Sequence, residues 1–236
     1  LIISFESAKI NVESASRIAY YEIDELGYPQ LLWSISSPKD IDGSIVSANI
    51  ADFDGSGIPE MVLSVNKSSK NRPIYSQALL YAYKWEGSTF SSSPSLSTAL
   101  TEAESMQYIR NVSILDLNGD GKDEIAVALA GAEPIISILG VSGNNDSDFY
   151  EIQSFLMESF ISSSSNLHIA SIDYNRDGFS ELLAFSPDKN IIKIQSLLNK
   201  GGFLNPGPEA IKKINGMSNI LSKSISNISF DINDNE

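Results

Sequence analysis

Oxygen-bearing side chains recur in this chain at positions 1, 3, 5 and 9 of a nine-residue pattern, a spacing suited to wrapping a hard cation. The three copies read Asp52-Phe53-Asp54-Gly55-Ser56-Gly57-Ile58-Pro59-Glu60, Asp116-Leu117-Asn118-Gly119-Asp120-Gly121-Lys122-Asp123-Glu124 and Asp173-Tyr174-Asn175-Arg176-Asp177-Gly178-Phe179-Ser180-Glu181. A fourth starts at Asp231-Ile232-Asn233-Asp234-Asn235 and runs out at Glu236. A short loop of this kind supplies several of the roughly six to eight oxygens that calcium prefers. Glycine at position 6 of each copy lets the backbone take a positive φ, so the chain turns back and aims the position-7 carbonyl at the ion.

Charge points the same way. The first copy has Ser56 at position 5, but carries Asp54 where the others have Asn118 and Asn175, so each loop keeps three carboxylates among its ligand positions. Clustered carboxylates repel one another, and a divalent cation relieves the repulsion. The competing reading is a polar Asp/Gly turn that binds nothing; three copies in register favour the ion. An all-oxygen ligand set in a chain without cysteine selects calcium.

A helix–loop–helix calcium site would need a bidentate Glu at position 12, where this chain has Leu63, Val127 and Ala184. Each loop is followed by a short apolar run: Met61–Val65, Ile125–Leu129 or Leu182–Ser186. Such runs fit buried strands. Strand-like segments also precede the loops, as at Ser44–Ile50 and Asn166–Ile172, so each loop joins two strands and its position-9 acid opens the second.

The first Asp residues fall at 52, 116, 173 and 231, in steps of 64, 57 and 58. A second signal keeps step with them: a strand, a glycine-bearing turn and a return strand. It is found around Tyr20–Ile23, Gly27 and Leu31–Trp33; around Tyr81–Trp85, Gly87 and Phe90; around Ile135–Ile138, Gly143 and Phe149–Ile152; and around Ile191–Ile194 and Gly201. A unit of about 60 residues with about four short strands is the mark of a β-propeller blade. The expected fold is therefore an all-β propeller of four-stranded antiparallel blades. Blades are expected at 41–105, 106–165 and 166–223, with partial blades at 1–40 and 224–236.

These loops and their setting resemble FG-GAP (or VCBS-type) repeats, the calcium-binding blades of the integrin α-chain propeller and of many bacterial surface proteins. Gly131-Ala132-Glu133-Pro134 is similar to the family's Gly-Ala-Pro with one residue inserted. The resemblance implies side-chain ligands at Asp52, Asp54, Ser56 and Glu60, at Asp116, Asn118, Asp120 and Glu124, and at Asp173, Asn175, Asp177 and Glu181. It also implies backbone carbonyl ligands from Ile58, Lys122 and Phe179. About three calcium ions are expected, the first loop being the weakest because of Ser56.

Leu1–Phe5 aligns with the strand that follows each loop, so the chain opens on a second strand and closes inside a loop. A segment of a longer propeller is the favoured expectation. The alternative is a four-blade ring in which residues 224–231 complete the first blade.

The formal charge of −14 argues against nucleic acid, which requires a basic face. Three divalent ions would bring it to −8 (−14 plus 6). No stretch approaches the roughly 18 apolar residues of a membrane span. Absence of cysteine excludes disulfides and leaves the compartment open. Open calcium sites fill where the ion is abundant, which points to an extracellular, cell-surface, periplasmic or outer-membrane setting. Four Asn-x-Ser matches begin at Asn66, Asn111, Asn145 and Asn227; two of them, Asn111 and Asn227, fall in expected inner strands, where a glycan would not fit.

No catalytic residue is expected. His168 is the sole histidine, five residues before Asp173, and reads as a polar residue of an inner strand. Trp33, Trp85 and the tyrosines at 20, 21, 81 and 83 read as core packing rather than as a contact face. The expected role is a calcium-stabilised scaffold whose remaining loops bind a protein or a surface glycan. The alternative is a carbohydrate-active propeller such as a lectin or a polysaccharide lyase, the latter being the enzymatic alternative, to which the fold also bears a resemblance.

Overall fold

The computed structural model describes residues 2–213, apart from short gaps at 11–12, 38, 70–71, 103–104, 132, 143–147 and 189–190. The fourth acidic motif and the segment 224–231 lie outside the described residues. The described residues are all-β, forming one three-stranded and three four-stranded antiparallel sheets.

The first sheet pairs β1 (Ile2–Ile10), β2 (Glu13–Ile23) and β3 (Pro29–Ser37) in that order. The second runs β4 (Ser44–Ala51), β5 (Glu60–Ser69), β6 (Arg72–Lys84) and β7 (Leu96–Ala99). The third runs β8 (Tyr108–Leu115), β9 (Glu124–Ala130), β10 (Ile135–Ser142) and β11 (Asp148–Leu156). After a 3-10 helix at Glu158–Asn166, the fourth runs β12 (His168–Ile172), β13 (Glu181–Asp188), β14 (Ile191–Asn199) and β15 (Leu204–Lys213). Each four-stranded sheet is thus a meander in chain order.

The acidic loops occupy the first turn of each meander. Ala51 pairs with Glu60, Leu115 with Glu124 and Ile172 with Glu181, so every loop closes between hydrogen-bonded neighbours. The second strands are apolar without alternation because both faces are covered: every residue of β9 is buried, and Met61, Val62 and Leu63 have no exposed surface.

The cores lie between sheets. Ile18, Trp33 and Ile35 of the first sheet pack with Met61, Leu63 and Tyr83 of the second. Val62 and Leu80 of the second meet Ile109, Val127 and Leu139 of the third. Leu115, Ala126 and Ile138 of the third meet Ile169, Leu182 and Leu197 of the fourth, together with Phe160 from the 3-10 helix. Position 2 of a loop plugs into the interface with the following sheet: Phe53 is 4% exposed and Leu117 2%. Tyr174, in the last described loop, is 39% exposed.

Hydrogen bonds between amide side chains and strand backbone fasten one sheet to the next. The Asn66 side chain donates from Nδ2 to the Ile109 carbonyl (2.8 Å) and accepts from the Ile109 N–H (2.7 Å). Asn111 does the same at Ile169, at 2.8 and 3.0 Å. Ser113 and Ser171 hydrogen-bond between the first strands of the third and fourth sheets at 3.0 Å. Both Asn66 and Asn111 are thereby committed to internal bonds, which rules them out as glycan acceptors in this fold.

Glu209–Lys213 belongs to β15, with Ile191 opposite Lys213. Pro206 and Pro208 are accommodated because β15 is the outermost strand of its sheet, where a missing N–H is tolerated. The serine run at 162–165 lies in the 3-10 helix. Phe90 makes only an isolated bridge to Trp85, and the return strand is β7. The aromatic residues of the first two hairpins pack as expected: Trp33 meets Tyr83 edge-on at 5.3 Å, and Tyr20 meets Trp85 at 5.5 Å.

Candidate metal centre

All three loops fold on one hydrogen-bond scaffold, set by the residue types at fixed positions. The position-1 aspartate accepts from the position-6 glycine amide: Gly57 to Asp52 at 2.7 Å, Gly121 to Asp116 at 3.0 Å and Gly178 to Asp173 at 3.1 Å. Position 3 accepts from the position-5 amide at 2.9 Å in each case, through Asp54, Asn118 and Asn175. Position 5 accepts from the position-7 amide, Ser56 at 3.1 Å and Asp120 and Asp177 at 2.9 Å. Position 9 reaches back to the position-2 amide: Glu60 to Phe53 at 3.2 Å, Glu124 to Leu117 at 2.7 Å and Glu181 to Tyr174 at 3.2 Å.

Residues 4 and 6 of every loop adopt positive φ. At position 6 the values are 76°, 79° and 91° for Gly57, Gly121 and Gly178. At position 4 they are 71° for Gly55, 74° for Gly119 and 60° for Arg176. The position-4 requirement is not evident from the sequence, because Arg176 breaks the glycine pattern while keeping the conformation.

Position 9 is the buried end of each site. Glu60, Glu124 and Glu181 are 5%, 7% and 0% exposed. Burial pushes the Glu124 carboxyl up to about 7; the Leu117 amide opposes this, while Asp120, Asp116 and Asp123 add to it. Glu181 is raised by the same cause, with Asp177 and Asp173 adding and the Tyr174 amide opposing. Asp54 is held low, chiefly by its hydrogen bond with the Ser56 side chain. Among the described residues no Lys or Arg forms an ion pair with Glu124 or Glu181.

The ligand atoms are laid out but not drawn together. Among the described residues no three acidic or histidine side chains converge as a closed metal cage. In the third loop the Asn175 amide stands between two of them, donating from Nδ2 to Asp177 Oδ2 at 3.0 Å and to Glu181 Oε1 at 2.9 Å. Asn118 Nδ2 approaches Asp120 Oδ2 at 3.3 Å in the second loop. In the third loop the carboxylates of positions 5 and 9 thus lie within hydrogen-bond reach of one donor, whereas in the second Asn118 meets position 5 alone. The oxygen-only donor set fits a hard divalent ion. The carbonyls of Ile58, Lys122 and Phe179 belong to residues whose amides brace position 5.

His168 lies outside these loops. Its ring stacks on Phe185 at 5.5 Å, and burial lowers its pKa to about 4, with Arg110 contributing.

Residues 52–127 match the FG-GAP-like repeat family. No curated protein sequence matches the chain. Among solved structures, the exotype rhamnogalacturonan lyase YesX shares 15% identity at a TM-score of 0.50, over 85% of this chain and 41% of that one. Rhamnogalacturonan lyase YesW shares 16% identity at 0.53, over 87% and 44%. The Bacillus licheniformis rhamnogalacturonan lyase PL11 shares 14% at 0.51, also over 87% and 44%. This chain spans less than half the length of each, and at such identities the likeness is one of fold. The family match runs from the first ligand-type residue of loop 1 to three residues past Glu124, and so takes in two whole loops. This chain accordingly carries an FG-GAP-like repeat, whose loop scaffold recurs once more at Asp173–Glu181.

Proposed function

We propose that each of the three loops holds a calcium ion, and that the chain is a calcium-stabilised β-propeller segment serving as a binding scaffold outside the cytoplasm. One observation carries the metal reading: Asp177 Oδ2 and Glu181 Oε1 converge on a single donor at 3.0 and 2.9 Å, where a divalent ion would replace the amide hydrogens. Asn175 would then turn its carbonyl oxygen inward. The ligands would be Asp52, Asp54, Ser56 and Glu60 in loop 1, Asp116, Asn118, Asp120 and Glu124 in loop 2, and Asp173, Asn175, Asp177 and Glu181 in loop 3. The carbonyls of Ile58, Lys122 and Phe179 would complete them. The ion supplies charge neutralisation to three carboxylates and pins the turn between two strands.

The propeller reading rests on the way successive meanders stack face to face, with their first strands adjacent. That arrangement would leave the far loops and the exposed face of the outer strand β15 for a protein partner or a surface glycan. An ion that binds only the folded state stabilises it by about 2.7 kcal/mol per site at a hundredfold excess over Kd. Calorimetric titration of the metal-free chain with calcium chloride should show saturable binding at about three sites, and chelation should lower the melting temperature. Absence of heat and an unchanged melting temperature would refute the reading.

A second reading, part of a carbohydrate-active protein, is favoured by the likeness to three rhamnogalacturonan lyases. Under the scaffold reading, this chain with calcium is retained on immobilised rhamnogalacturonan or ignores it, and in neither case releases the unsaturated product of a lyase. Appearance of that product's ultraviolet absorbance would transfer the chain to the enzymatic class.

A further inference from the structure

We propose that the three loops fill as a coupled array rather than as independent sites, with Asp123 as the positioning residue between loops 1 and 2. The inference rests on the calcium reading above. Asp123 is position 8 of loop 2, adjacent to Glu124, yet its bonds go to loop 1. Its Oδ2 accepts from the Asp52 N–H at 2.7 Å, and its own N–H donates to the Asp52 carbonyl at 2.9 Å. A two-point clamp therefore holds the backbone of the first ligand residue of loop 1.

Loops 2 and 3 are also linked, here through a residue of β14. Position 8 of loop 3 is Ser180, and the buried Asn199 side chain donates both to its carbonyl (3.1 Å) and to the Leu117 carbonyl in loop 2 (2.7 Å). Loops 2 and 3 also each lie against position 4 of the loop before. A Cβ on Gly55 would stand 3.3 Å from the Gly121 carbonyl oxygen and 3.4 Å from Lys122 Cγ, and one on Gly119 would stand 2.8 Å from Phe179 Cε1. The three loops thus form a contiguous row, loops 2 and 3 each set against a glycine of the loop before.

An ion in loop 2 orders Asp120–Glu124, and with them the clamp on Asp52. Loop 1 then has less disorder to lose when its own ion arrives, which is positive coupling by shared ordering. Repulsion between neighbouring ions acts in the opposite sense but is screened by salt, whereas the clamp is not.

Gly57 and Gly121 amides each donate to the first aspartate of their own loop, so their NMR signals report the two loops separately. The full chain, isotope-labelled and metal-free, is titrated with calcium chloride in about 1 M potassium chloride, where charges are screened within about 3 Å. Disabling loop 2 with Asp120→Ala should move the Gly57 midpoint to at least about fivefold higher calcium, the low end of ordinary coupling. In an Asp123→Ala background the same change should no longer move it. Asp123→Asn, which keeps the acceptor and loses the charge, should retain the coupling. A Gly57 midpoint indifferent to Asp120, or equal behaviour of the Asn and Ala variants, overturns the coupling. No calcium-dependent change at either glycine overturns the calcium reading as well.

Discussion

Replacing Gly119 by alanine separates the cost of a strained backbone from the cost of pushing two loops apart. Gly119 and Gly121 sit two residues apart with φ of 74° and 79°. Alanine at either position incurs about 1–2 kcal/mol for left-handed backbone. At Gly121 the new Cβ meets nothing within 4 Å, so that is the whole cost. At Gly119 it would lie 2.8 Å from Phe179 Cε1, with two more ring carbons at 3.5 and 3.6 Å. The half-buried ring must swing away, adding an overpacking cost of about 1–2 kcal/mol. Urea unfolding in the presence of a chelator should therefore give about 2–4 kcal/mol for Gly119→Ala and about 1–2 for Gly121→Ala. Adding Phe179→Ala should recover about 1 kcal/mol or more in the first background and nothing in the second, a coupling measurable by a double-mutant cycle. Equal costs at the two glycines, or strict additivity with Phe179→Ala, would show that the loops do not bear on one another.

Asn66→Ala removes both partners of the Ile109 peptide in a buried interface and should destabilise by about 2–4 kcal/mol in chemical denaturation. Trp33→Ala empties the aromatic cluster with Tyr83 and Phe90 and should cost about 3–5 kcal/mol by the same measure. His168 has a folded pKa of about 4, below the ordinary 6.5, so the unfolded chain binds a proton that the folded chain refuses. Stability from this group is complete above about pH 6.5 and falls as pH drops toward 4, by about 1–2 kcal/mol for a half-buried ring; His168→Gln should flatten that part of the curve.

Much of the site was legible because it is local. Positions 1, 3, 5 and 9 satisfy backbone amides within the same nine residues, so their types follow from the turn itself, and the period of the turn betrays the repeated meander. What escaped the sequence depends on contacts between repeats. Asp123 reads as one more acid in an acidic loop, although its bonds go to Asp52, 71 residues away. Asn66 reads as an Asn-x-Ser match, although its amide is spent on Ile109. Glu209–Lys213 carries nothing apolar in alternation because β15 is the exposed outer strand, which leaves a hydrophobic pattern with nothing to report.

Position 4 shows how a repeat conceals a contact. Gly55 and Gly119 each receive the position-7 residue of the following loop, and both are glycine. Arg176 holds the same left-handed conformation at φ 60°, in the last described loop, where no such neighbour is described. Backbone conformation alone therefore does not demand glycine here. The close approach of Phe179 adds that demand at Gly119, 2.8 Å from a Cβ, while at Gly55 the nearest atoms stand at 3.3 and 3.4 Å; a comparison of the three copies as sequences averages the distinction away. The same logic applies to position 2, where Phe53 and Leu117 are sealed beneath the following sheet and Tyr174 is 39% exposed. Positions 1, 6 and 9, which do not differ between copies, make bonds within each loop, whereas positions 2, 4 and 8, which do differ, are where one repeat meets the next.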